Sequence, residues 1–289
     1  MTDAITKGSG KNHTDENFPV ASVLIAPRHR PVVLAFYKVA RMADDVADHP
    51  GLSSDEKLRQ LALIEASLRG TGDTVAEAVS LARILAERRL SNVHMLDLLE
   101  AFRRDAVKSR YADWGELMDY CRFSAAPVGR FMLEVHGETR SAWDASDALC
   151  AALQVINHLQ DCGRDYQEID RVYLPLDALA AAGLEASDLG RPVATAALLG
   201  VIRALAQQTR ALLDTARPLS GATRDGRLAL EIGVIQALAE SLADRLLIGD
   251  PLSQRISLRP LATFGAAFSG AHMALIGRLT GRQNRRAEA

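Results

Sequence analysis

The chain has 289 residues, of which 48% are hydrophobic, 24% charged and 5% aromatic, and its formal net charge is −2. That length can bury a substantial core, and the near-neutral balance gives no electrostatic case for nucleic acid, which normally needs a concentrated basic surface. Runs rich in Ala and Leu dominate while alternating β-branched stretches are nearly absent, so an all-α globular fold is expected.

Residues 1–15, with Gly8-Ser9-Gly10 among polar neighbours, are expected to form a disordered tail. Met1 to Asn17 has no apolar core of signal-peptide length, which points to a cytoplasmic protein. The first core helix is expected over Val32 to Ala47, ended by His49-Pro50-Gly51. Ser53 or Ser54 caps a second helix running to about Arg69, before Gly70 and Gly72. Asp73 is expected to cap a third, to about Leu90, and Ser91 to start a fourth whose last turns carry Arg103, Arg104 and Lys108. Asp113 caps a fifth segment, kinked where Pro127 and Gly129 interrupt its apolar pattern. Ser141 or Asp144 opens a sixth helix reaching at least Asp165. The run Arg171-Val172-Tyr173-Leu174-Pro175 is a break, followed by short helical turns to about Leu189 and two long helices over roughly 193–216 and 223–248.

Pro260 to Leu279 reads as a last helix. Its apolar part contains Ser269 and His272 and falls short of the ~20 apolar residues of a membrane span, which favours a packed core helix. The arginines at its end, Arg278, Arg282, Arg285 and Arg286, leave contact with the inner face of a membrane open. No repeat of fixed period and no linker is visible, so one helical domain over 16–289, with nine to eleven helices, is the simplest arrangement. The three cysteines, Cys121, Cys150 and Cys162, form no CxxC pair and read as buried thiols in a reducing compartment.

Two acidic motifs carry the chemistry. Asp44-Asp45-Val46-Ala47-Asp48 places Asp44 and Asp48 on one helix face, with Asp45 close to Asp48. Charge runs often simply face water. Here, however, the run ends an otherwise apolar helix, with Tyr37 and Arg41 upstream at helical spacing, where Arg41 could meet a phosphate oxygen. The second motif, Asn157 to Asp165, lines Asn157, Asp161 and Asp165 along one stripe of an otherwise apolar helix. His158 and Cys162 fall on other faces and read as packing or supporting residues, because hard ions prefer oxygen. Mg²⁺ typically takes one or two protein carboxylates plus substrate phosphates. A bundle that faced the two helices towards each other would make an oxygen-lined site suited to ionising a diphosphate ester.

These segments resemble the squalene/phytoene synthase family. Tyr37 to Asp48 is similar to its first aspartate-rich motif, and Asn157 to Asp165 with Arg171 to Pro175 to its second motif and following signature. Tyr120-Cys121 and Ala126-Pro127-Val128-Gly129 resemble its central kinked helix. The matches span about residues 16 to 176, with weaker helical similarity to about 260. Glu16-Asn17-Phe18-Pro19-Val20-Ala21-Ser22 and Arg122 to Gly129 are most similar to a bacterial branch that accepts presqualene diphosphate and ends the reaction with water.

The resemblance implies an all-α isoprenoid-synthase bundle with a central cavity, Mg²⁺ as cofactor and a prenyl diphosphate as substrate. No nicotinamide is implied, because water rather than hydride ends the reaction. Carried over, Asp44, Asp45, Asp48, Asn157, Asp161 and Asp165 would hold Mg²⁺ and diphosphate, and Arg41 and Arg171 would bind phosphate oxygens. Tyr37, Tyr120 and Tyr173 would lie near the phosphate or the cation, with Phe18 and Gln154 lining the cavity and Asn17 binding substrate. An enzyme that makes presqualene diphosphate would be a functional partner; the number of ions and the oligomeric state stay open. One departure concerns a late tyrosine of many condensing members, which Gly233-Val234-Ile235-Gln236 lacks. Condensation of two prenyl diphosphates therefore stands second, and a non-enzymatic assembly factor with the same fold third.

Overall fold

The structure is a computed structural model that describes residues 24–258. Asn17, Phe18 and the helix expected over 260–279 lie outside the described residues. Within them the regular structure is helical, and the one β-type pairing is an isolated bridge between Arg110 and Val172. The helices fall into two compact units.

The first unit takes residues 24–108 together with Arg130–Gly137. It holds α1 (Arg30–Ala47), α2 (Ser54–Arg69), α3 (Ala76–Glu87) and α4 (Val93–Val107). Pro31 at the start of α1 pre-sets a helical φ and gives up an N–H that would have no intrahelical partner. The buried face of α1, Val32, Val33, Phe36, Val39, Ala43 and Val46, packs on α3 and α4, and Phe36 stacks on Phe131 at 4.0 Å. At α2 a capping box forms as expected: the Ser53 hydroxyl accepts from the Glu56 N–H, and the Glu56 carboxylate accepts from the Ser53 N–H at 2.9 Å. Gly70, at φ 71°, closes the helix in the left-handed region that glycine enters without strain.

The second unit takes Ser109–Gly129 and residues 138–258. It holds α5 (Trp114–Ser124), the start of α6 (Ala126–Val135), α7 (Trp143–Ile169), α8 (Leu176–Ala181), α9 (Ala196–Ala216), α10 (Pro218–Ala222) and α11 (Gly226–Leu246). The 27-residue α7 is its axis, packed by α5, α9 and α11. At its end Asp170 adopts φ 49°, and Arg110 Nη2 holds the Asp170 carboxylate at 2.5 Å.

Four boundaries differ from expectation. The third helix is not capped by Asp73. Val75 is buried and its N–H donates to the Ser67 hydroxyl at 3.1 Å, which keeps the chain extended until Ala76. Ser91 does not begin the fourth helix; its hydroxyl accepts from the Val93 N–H at 3.1 Å, and the helix opens one residue past Asn92. The kink expected near Pro127 is a full break at Ala125, whose φ of −123° and ψ of −50° separate α5 from α6. Between the two long C-terminal helices, Pro218 starts the separate short α10.

Gly129 lies close against α7. A Cβ there would lie 2.4 Å from the Ser146 Oγ and 2.6 Å from the Cys150 Sγ, both short side chains on α7. Gly129→Ala should therefore lower unfolding stability by about 1–3 kcal/mol through overpacking. Urea unfolding checks this, and an unchanged midpoint would contradict the close approach.

Candidate active site

The first acidic motif occupies the C-terminal end of α1. Asp44 and Asp45 lie in its last turn and Asp48 is its C-cap, while no basic residue lies in that turn. Helix C-termini carry partial negative charge, so carboxylates are disfavoured there without a compensating cation. Arg41, one turn earlier, supplies part of the compensation. Its Nη1 meets Asp44 Oδ2 at 2.7 Å and its Nη2 meets Asp45 Oδ1 at 2.9 Å. Even so, the Asp44 carboxyl is pushed up to about 7, first by burial and then by the Asp48 charge, with Arg41 opposing and Asp105 and Asp45 adding. Asp105, from α4, joins this cluster without having been expected. Tyr37 is half-buried one turn before Arg41 on α1.

The second motif lies on α7, again towards the C-terminal end, and again the last turn has no basic residue. Asn157, Asp161 and Asp165 are all half-buried. Arg164 Nη2 pairs with Asp161 Oδ2 at 2.5 Å. Just after the helix, the Arg171 N–H donates to the Asp165 carbonyl at 3.0 Å. The Arg171 side chain is buried, and its Nη1 donates to the Tyr173 hydroxyl at 3.3 Å.

An aromatic cluster adjoins this stripe. His158 stacks on Tyr173 with ring centroids 3.4 Å apart and planes 16° apart. Tyr111 and Tyr120 lie 5.6 and 5.7 Å from Tyr173 and 5.1 Å from each other. Gln154 was expected to line a cavity, and its amide meets the His158 Nε2 at 3.2 Å. Burial, with the Arg171 charge adding, pushes the imidazole down to about 3, so His158 is neutral. Burial likewise pushes the Cys121 and Cys162 thiols up to about 12, which leaves them unreactive.

Sequence reasoning missed Asp105 and Tyr111. Asp105 follows Arg103 and Arg104 in what reads as a cationic helix end, and Tyr111 lies in the connection between α4 and α5.

The donors suit a hard divalent cation, since they are oxygens, those of the first motif are crowded at a negative helix end, and Asp44 is driven to hold its proton. Among the described residues no three His, Cys, Asp or Glu side chains converge on a metal position. An ion held by one or two carboxylates and completed by phosphate oxygens is compatible with that arrangement.

A family profile described as squalene/phytoene synthase matches residues 11–261. The chain belongs to the squalene/phytoene synthase family. It is therefore an enzyme of the isoprenoid synthase class. It is 55% identical over 273 residues to the hydroxysqualene synthase of Rhodopseudomonas palustris, covering 93% of this chain and 94% of that protein. With the hydroxysqualene synthase of Zymomonas mobilis it is 51% identical, covering 91% of this chain and 89% of the relative. The fold is similar to the crystal structure of squalene synthase HpnC from Alicyclobacillus acidocaldarius, with a TM-score of 0.69, 30% identity, and 78% of this chain and 85% of that one covered. The all-α expectation and the family resemblance both hold.

Proposed function

We propose that the chain converts presqualene diphosphate and water to hydroxysqualene and diphosphate. The observation that carries this reading is 55% and 51% identity, over 93% and 91% of the chain, to proteins named hydroxysqualene synthase. Mg²⁺, when bound, would neutralise the leaving diphosphate and so ease rupture of its carbon–oxygen bond.

Asp44, Asp45 and Asp48 on α1, and Asn157, Asp161 and Asp165 on α7, would be the donors for the ions. Arg41 would exchange a carboxylate for a phosphate oxygen, and Arg171 would bind a second one. The bond to diphosphate breaks with its electron pair leaving on oxygen. Tyr37, Tyr120 and Tyr173 would present aromatic faces to the cation that remains. A water oxygen then forms the new carbon–oxygen bond, and the excess proton passes to diphosphate or solvent. Asn17, Phe18 and Gln154 would contribute to binding the isoprenoid chains. We take one family domain to run over residues 16–289.

Such a substrate must come from an enzyme that condenses two farnesyl groups. Both substrate and product partition into lipid, so peripheral contact with a membrane is part of the proposal. Among the described residues no helix is long and apolar enough to cross one. Turnover in ¹⁸O-labelled water tests the final step. The alcohol should carry the label; an unlabelled alcohol would contradict water capture.

A further inference from the structure

Tyr173 lies on irregular backbone between α7 and α8, where no helix restricts its ring. Its orientation therefore has to come from what packs on it. One ring face is covered by His158 at 3.4 Å, nearly parallel, and the hydroxyl accepts from Arg171. His158 in turn is fixed from its own helix. An amide nitrogen can only donate, so Gln154 Nε2 donates to the imidazole Nε2 across one turn. Burying the imidazole within α7 costs desolvation unless its polar edge is used, and half-buried Gln154 supplies the partner. An aliphatic side chain would fill the same space on the buried face of this helix without that cost.

What the pair achieves is registration. His158 directly follows Asn157 and precedes Asp161 by three residues, so it belongs to the same rigid element as the oxygen stripe. Through the stack, the loop residue Tyr173 is tied to that element. Groups held on a rigid helix keep their mutual geometry far better than groups on a loop.

We propose that His158 is a positioning residue, which registers the Tyr173 ring to the acidic stripe of α7 and thereby fixes where water captures the rearranging cation. The inference rests on the reaction proposed above. His158 acts through Tyr173, by the face of its ring.

The test uses the full chain with presqualene diphosphate and Mg²⁺, following diphosphate release and product composition. His158→Ala should leave KM near the wild-type value, lower kcat about tenfold and divert product from hydroxysqualene to other alcohols and hydrocarbons. His158→Phe keeps a ring for the stack and should restore most of the wild-type product ratio. With Tyr173→Ala already present, His158→Ala should add little further loss, because the group it positions is gone. A wild-type product ratio in His158→Ala, or losses that simply add in the double variant, would overturn the inference.

A readout free of turnover separates this from failure of the functional reading. In ligand-free protein with ring-labelled tyrosine, the NMR signal that Tyr173→Phe assigns should move in His158→Ala and return towards wild type in His158→Phe. A signal that stays in place in His158→Ala would overturn the positioning role. Absence of hydroxysqualene from the wild type, with the signal moving as stated, would overturn only the reaction.

Discussion

Asp161→Asn should lower kcat by about a hundredfold to a thousandfold while leaving the helical content unchanged. Asp161 is 31% exposed and pairs with Arg164, which is itself 53% exposed, so the pair contributes little to stability. Asp161 shares one stripe of α7 with Asn157 and Asp165, where oxygen donors would face a common ion. The amide keeps size and one oxygen but loses the charge that would hold an ion against diphosphate. Asp48→Asn should behave alike at the end of α1. Steady-state kinetics with circular dichroism on the same samples checks both variants, and near-wild-type turnover in either would remove that residue from the metal assignment.

Mg²⁺ binding should weaken steeply in acid, by up to about tenfold per pH unit below about 7 if one proton is displaced. Asp44 is the reason. Burial, the neighbouring Asp48 charge and smaller contributions from Asp105 and Asp45 outweigh Arg41 and raise its carboxyl to about 7. A carboxyl whose folded value lies above its unfolded value binds its proton more tightly in the folded state. Its contribution to stability is therefore present below the unfolded value, and is lost as pH rises through the folded one. On this account the metal-free protein pays for an ionised Asp44 above about pH 7, and an ion bound there relieves the cost. Mg²⁺ with inorganic diphosphate should thus raise the melting temperature more at about pH 8 than at about pH 5.5, and Asp44→Asn should shrink that difference. Equal Mg²⁺ shifts at both pH values in the wild type would contradict this role for Asp44.

Much of this arrangement was legible beforehand, and for identifiable reasons. The apolar stripe Val32, Val33, Phe36, Val39, Ala43 announces α1 because helix period and burial coincide. The acidic motifs were visible because spacings of three and four residues put side chains on one face whatever the tertiary fold. Contacts between elements were not. Asp105 reaches the Asp44 cluster only through the packing of α1 on α4, and its flanking arginines disguise it. Tyr111 joins Tyr120 and Tyr173 because the loop after α4 pairs with the loop after α7, where the Val172 N–H donates to the Ser109 carbonyl at 2.9 Å. His158 was legible as a packing residue, but its ring stack on Tyr173 was not. Val75 displaced Asp73 as a helix start because a buried side chain and a tertiary hydrogen bond outweighed a local capping preference.

Supplying the purified chain, with Mg²⁺, either presqualene diphosphate or farnesyl diphosphate and identifying the products decides between the two reactions. Hydroxysqualene and diphosphate are expected from presqualene diphosphate, with little turnover of farnesyl diphosphate. Efficient formation of presqualene diphosphate or a hydrocarbon from farnesyl diphosphate, with no hydroxysqualene from presqualene diphosphate, would contradict the proposed reaction.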